Sequence, residues 1–190
     1  MAQPADESTF LRGRLLVATP ALLDQNFFRT VVLIVEHNAE GAAGVVLNRP
    51  SETPLAGGPL GDWEEVAADP ALVFVGGPVQ PSAAVCLARA HVDVQPAGFE
   101  PILDGLGVLD IGEETSTVRT GLRIRVFAGY AGWGAGQLER EVEEGAWYVI
   151  DADPEDALSS QPGGLWRFVL QRQPGKLALV ANFPIDPTMN

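Results

Sequence analysis

Apolar residues come along this chain in short runs rather than long helical stripes. The runs fall at 14–18, 30–37, 44–48, 71–75, 83–88, 122–128, 147–150 and 176–181. Most are β-branched and of strand length, which predicts a chain dominated by strands. Glycine (21 residues) and proline (15 residues) punctuate the intervals, as many short elements require. The clearest hairpin joins 30–37 to 42–48 through Asn38-Ala39-Glu40-Gly41, whose Asn and Gly suit a four-residue turn. Alternation puts Val31, Leu33, Val35 and His37 on one face of its first strand, with Val32, Ile34 and Glu36 on the other. Both faces are apolar for most of the length, so this strand is expected to be central and covered on both sides.

Helical spacing is confined to the last third. Residues 135–144 place Leu138 and Val142 on one stripe, with Glu139, Arg140, Glu141, Glu143 and Glu144 mostly outside it and Gly145 as a stop. Asp153-Pro154-Glu155 reads as an N-cap with Pro at the first helical position, opening a short helix to Ser159. Residues 165–171 form a second short helix that turns Leu165, Phe168 and Val169 inward. Residues 51–62 read as a loop, and 92–118 carry no distinctive pattern. Strands first and helices late predict an α+β domain: a mixed, barrel-like β-sheet with a few flanking helices.

Length and charge narrow the picture further. One hundred and ninety residues suit a flexible N-terminal tail (1–12) and a single domain (13–190). The tail lacks a basic start followed by an apolar stretch, and the longest aliphatic run, Val31 to Val35, is far short of the roughly 20 residues that cross a bilayer. Cys86 is the sole cysteine, so no intrachain disulfide forms, and a cytoplasmic setting is expected with no membrane association. Net charge is −13, with 25 carboxylates against 12 Lys and Arg. That balance argues against nucleic acid as a partner. A small molecule or a protein remains, as does a homodimer formed through an exposed strand edge.

The most suggestive chemistry lies between Arg123 and Asp151. A strand leads into Gly129-Tyr130-Ala131-Gly132-Trp133-Gly134-Ala135-Gly136, then a helix, then a strand ending on a carboxylate, in outline a dinucleotide site. The glycine register fails. A GxGxxG pattern begun at Gly132 meets Gln137, and one begun at Gly134 meets Glu139. The following helix carries Glu139, Glu141, Glu143 and Glu144 where pyrophosphate needs a positive end. The glycines are therefore expected to make a tight strand-to-helix turn, packed by Tyr130 and Trp133 and braced by Gln137 and Glu139. No cofactor is expected.

A second polar group is Glu36-His37 with Asn48-Arg49, which the hairpin is expected to gather at one sheet end, Glu36 pairing with Arg49. Such a set could do acid–base work, with Asp24 as a further carboxylate, or hold an anion. Adjacent strand residues face opposite ways, however, so Glu36 and His37 do not converge on one atom. No HxxxH or CxxC spacing supports a metal, and no G-x-S-x-G supports a nucleophile. Gly76-Gly77-Pro78 lacks a phosphate-loop lysine and reads as a turn. Arg119, Arg123 and Arg125 are expected to form a solvated basic edge.

Several of these segments together resemble the YqgE/AlgH family. They are Gly13-Arg14-Leu15-Leu16-Val17-Ala18-Thr19-Pro20 with Leu23-Asp24 and Phe28; Glu36-His37 with Gly41-Ala42-Ala43-Gly44 and Asn48-Arg49-Pro50; Gly76-Gly77-Pro78-Val79; and Gly129-Tyr130-Ala131-Gly132-Trp133 with Gly136-Gln137-Leu138-Glu139, Glu141 and Trp147. They run in order along nearly the whole chain. The resemblance implies an α+β domain on a barrel-like sheet and brings no catalytic residues with it. Some family members carry a transcriptional-regulator label, but no helix-turn-helix is legible here. A binding or regulatory protein is the expectation, with Glu36, Asn48, Arg49, Tyr130, Trp133, Gln137 and Glu139 as its ligand or partner residues. An acid–base or hydrolytic enzyme using Glu36, His37 or Asp24 is the alternative.

Overall fold

A computed structural model describes residues 10–91, 95–112 and 119–185. Its strands are β1 (Arg14–Ala18), β2 (Val31–Asn38), β3 (Gly41–Val46), β4 (Pro50–Pro54), β5 (Leu72–Val75), β6 (Val79–Arg89), β7 (Phe99–Leu103), β8 (Leu106–Leu109), β9 (Arg123–Gly134) and β10 (Trp147–Asp151). They curl into a half-barrel sheet in the order β10-β1-β2-β3-β9-β6-β8-β7, with β5 bridging β4 and β9. The pairing is antiparallel except between β5 and β9, which makes the sheet mixed, as the pattern of runs predicts.

Three helices flank it: α1 (Gln137–Glu143), α2 (Leu165–Gln171) and α3 (Leu177–Val180). The segment Pro154–Leu158 is a 3-10 turn opened by a capping box, in which the Asp153 side chain accepts from Glu155 N and Asp156 Oδ2 accepts from Asp153 N. Several expectations change. Within the run 176–181, Leu177–Val180 is helical, because Leu and Ala there favour a helix that packs on α2. The supposed loop at 51–62 begins with β4, whose two prolines suit an edge strand. The featureless 92–118 stretch holds the β7–β8 hairpin, turned at Asp104-Gly105 with positive φ at both residues, a signal the sequence does carry. Phe10, Leu11 and Arg12, assigned to the tail, dock on β2: Leu11 N donates to His37 Nδ1 and Arg12 Nε to Val35 O. The rest of that tail lies outside the described residues.

The core divides by sheet face. Leu15, Val17, Val31, Leu33, Val45 and Leu47 pack with Phe74, Phe127 and the inner side of α2. Leu16, Ala18, Val32, Ile34 and Val46 pack oppositely, with Trp133, Leu138 and Trp147. Strand β2 is therefore covered on both sides, as its run implies. Cys86, Ile124, Val126, Trp63 and Leu109 form a third cluster behind β6 and β9.

Two of the breaks in alternation bear on the site. The β2–β3 register shifts between Ile34 and Glu36, leaving Val35 as the extra residue of a β-bulge. In β9, Gly129 has φ +72, and beyond it Tyr130 joins the face of Phe127 while Ala131 and Trp133 join the opposite one. These two slips set the geometry of the site.

Candidate functional site

The bulge exchanges the faces of Glu36 and His37. His37 turns toward α1 and is buried: Nε2 meets Glu139 Oε1 at 3.1 Å, and Nδ1 accepts from Leu11 N at 2.9 Å. The Leu11 contact makes Nδ1 the unprotonated nitrogen, so Nε2–H donates to Glu139. The edge of Phe10 closes over the ring. Glu36 emerges on the other face, opposite Ala43, which in turn lies beside Gly132 of β9.

Glu36 then lines a groove of about 400 Å³ with Asn38, Glu40, Val79, Tyr130 and Gly132. Asn38 orders the rim, donating from Nδ2 to Glu36 Oε1 at 3.2 Å and accepting Glu40 N at 2.8 Å. The groove unites Glu36, Tyr130 and the backbone of Trp133. It does not include Asn48 and Arg49, which the sequence had placed beside Glu36. The hairpin turn is at 38–41, so Asn48 lies at the far end, where its Oδ1 accepts Val31 N and its Nδ2 donates to Arg29 O. Arg49 donates to the carbonyls of Gln25 and Phe28, and Glu36 is not its partner. Asp24 stays in that same loop, accepting Asn26 N.

The glycine segment is not the tight turn expected from sequence. Strand β9 continues to Gly134, and only Gly134 to Gly136 make the turn, with Gly136 at φ +68. Half of the expected brace is present: Gln137 Oε1 accepts Gly134 N at 3.0 Å and its Nε2 donates to Glu141 Oε1 at 2.9 Å, while Glu139 turns to His37 instead. Glu141, missed by sequence reasoning, is the centre of this side. Its Oε2 accepts the indole N–H of both Trp133 and Trp147 at 2.9 Å each. Its position four residues after Gln137, between two tryptophans, was the available signal.

Most of the motif glycines answer to packing. A Cβ on Gly76 would lie 2.2 Å from Gly129 O, and one on Gly77 would lie 2.2 Å from the Tyr130 carbonyl carbon, because this segment crosses β9 backbone on backbone. Gly132 differs. A Cβ there would meet nothing closer than 3.6 Å, ordinary contact with Tyr130, so bare backbone at the groove floor is not demanded by the fold.

The basic edge is also corrected. Arg119 and Arg123 do lie at the surface, beside Glu65 and Glu155. Arg125 is 2% exposed, with its guanidinium 4.3 Å from the Phe74 ring centroid, and it donates to the carbonyls of Ala68, Asp69, Ala157 and Ser159. Burial, then repulsion from Arg123, pushes its pKa down to about 10, with Asp69 opposing. A larger cavity, about 530 Å³, lies beside α2, but its Arg123–Glu155 and Arg172–Asp156 pairs neutralise each other.

A curled mixed sheet covered on both faces, with an open groove where two slips coincide, defines the class. The AlgH-like family model matches residues 15–178. The chain belongs to the AlgH-like family, and the resemblance read from its motifs holds. It is 47% identical to a UPF0301 protein of Streptomyces avermitilis over 97% of each chain, and 46% identical to one of Thermobifida fusca over 95% and 96%. Its structure is similar to a crystal structure from Corynebacterium diphtheriae (TM-score 0.80, 28% identity, 96% and 95% covered). It is also similar to the solution structure of the AlgH protein from Pseudomonas aeruginosa (TM-score 0.66, 30% identity, 98% and 100% covered). Among the described residues no helix is long and apolar enough to cross a membrane.

Proposed function

We propose that the chain is a cytoplasmic, non-enzymatic binding or regulatory protein that receives a small ligand, or a side chain of a protein partner, in the groove between Glu36 and Tyr130. The observation that carries this reading is Gly132. Its neighbours leave room for a side chain, and its absence keeps the floor open beneath a carboxylate and a phenol. Such a lining suits a ligand bearing hydrogen-bond donors or positive charge. Trp133, Gln137, Glu139 and Glu141 support the reading from behind by fixing the β9 end of the groove. Asn48 and Arg49 serve the Arg29 loop instead.

Support for the enzymatic alternative is weaker. Both nitrogens of His37 are engaged, Glu36 faces away from it, and Asp24 holds its own turn. Regulation by direct DNA contact has the least support, because −13 net charge opposes a polyanion. An indirect regulatory effect through a bound partner fits the groove better.

A metabolite and amine screen by thermal shift, on the natural chain and on Gly132→Val, tests the proposal. A ligand that stabilises the natural chain in a saturable way should lose that effect in Gly132→Val and weaken in Glu36→Gln. Ligands that stabilise all three proteins equally would remove the groove from consideration.

A further inference from the structure

Charge is unevenly distributed along this acidic chain. Residues 157–185 contain Arg167, Arg172 and Lys176 but no carboxylate. Arg172 is neutralised by Asp156. Among the described residues Arg167 has no such carboxylate, and it donates to the neutral Asn182 Oδ1 at 3.0 Å. Arg29, from the loop before β2, joins it: the guanidinium lies 4.4 Å from the Trp166 ring centroid and donates to Phe183 O. Among the described residues no carboxylate bridges Arg29 or Arg167. Burial, then the nearby Arg167, lowers the Arg29 pKa. Arg29 also adopts φ +52, a left-handed conformation uncommon for a long side chain, which aims it across Trp166. Beside these cations lie Leu179, Phe183 and Ile185, which are 68%, 44% and 74% exposed.

We propose that this face, centred on Arg29 and Arg167 and extended by Leu179, Phe183 and Ile185, docks an acidic amphipathic segment of a protein partner. Guanidinium groups take carboxylates in a bidentate fork, and the adjoining apolar side chains would cover leucine or phenylalanine of the same segment. Charge decides the class of partner. A duplex or an anionic bilayer would present its charge to the whole chain, and its −13 would be repelled. A short segment senses only the local field, because repulsion beyond a Debye length of about 8–10 Å is screened. The surface is separate from the Glu36–Tyr130 groove, so the two proposals can fail independently.

Fluorescence anisotropy with a short synthetic peptide alternating glutamate with leucine and phenylalanine tests the proposal. A lysine-for-glutamate counterpart and phosphatidylserine vesicles serve as competing probes. Saturable binding of the acidic peptide, weakening as salt rises, is expected. Arg167→Glu, an exposed helix position, should bind at least about tenfold more weakly with unchanged circular dichroism and Tm. Leu179→Ser should weaken binding while leaving its salt dependence intact. The proposal is overturned by an absence of saturable binding at low salt, by equal binding to Arg167→Glu, or by preference for the lysine peptide or the vesicles. Self-association abolished by Arg167→Glu in sedimentation would overturn it too, since a second copy would then be the occupant.

Discussion

Glu141 and Arg125 carry opposite charges into two sides of the same half-barrel, and they are accommodated differently. Glu141 is half-buried at the edge of α1 and accepts three side-chain N–H groups, from Trp133, Trp147 and Gln137. Arg125 is fully buried and donates only to backbone carbonyls, from two separate loops, while its guanidinium stacks on Phe74. The anion is met by side chains close to it in sequence, four to eight residues away; the cation is met by main chain 32 to 57 residues distant. A charge met by local side chains leaves a motif. A charge met by remote carbonyls leaves none, because any residue supplies a carbonyl.

The contrast can be broken by mutation. Arg125→Met should have the largest effect, a loss of about 3–5 kcal/mol in urea unfolding, because buried carbonyls on two loops lose their donors. A loss below about 1 kcal/mol would mean that water replaces the guanidinium and that the clamp is dispensable. Glu141→Ala should cost about 2–3 kcal/mol and shift tryptophan emission, since two indole N–H groups lose their acceptor together. Unchanged emission would separate Glu141 from the tryptophans.

Cys86 sharpens the contrast as an ionisable group left neutral. It is buried in the cluster behind β6 and β9, and desolvation raises its pKa to about 12 from 9.0. Between those values the folded state keeps a proton that the unfolded chain releases, so its contribution to stability falls as pH rises above 9. The natural chain should therefore lose on the order of 1 kcal/mol more than Cys86→Ala between pH 8 and pH 10. Parallel pH profiles for the two proteins would show the thiol to be solvated. The smallest effect is expected for Glu36→Gln, within about 0.5 kcal/mol in urea unfolding, because that carboxylate is exposed and contacts only Asn38. A larger loss would make Glu36 part of the scaffold.

Much of the strand inventory was legible. Arg14–Ala18 and Leu165–Gln171 match their elements end to end, and the double coverage of β2 follows from its unbroken apolar run. The site was legible only in part. Glu36 and Tyr130 do share a groove, and Gln137 braces the turn, whereas Glu139 pairs with His37 of β2 instead. Asn48 and Arg49 were misplaced by reading a hairpin as bringing its open end to its turn. Arg125 was misread as exposed, because alternation cannot tell a solvated face from one closed by a distant loop.

By itself, then, the sequence determined most of the extended segments, the burial of β2 on both faces and the family they belong to. Those properties depend on side-chain hydrophobicity and on neighbours a few residues apart. Tertiary structure alone decided which way Glu36, His37 and Trp133 point. The Val35 bulge and the left-handed Gly129 each shift a strand by one residue, and in a period of two a single residue reverses every side chain that follows. Such slips are set by the backbone crossing of Gly76-Gly77 over β9 and by pairing with partner strands, both remote in sequence.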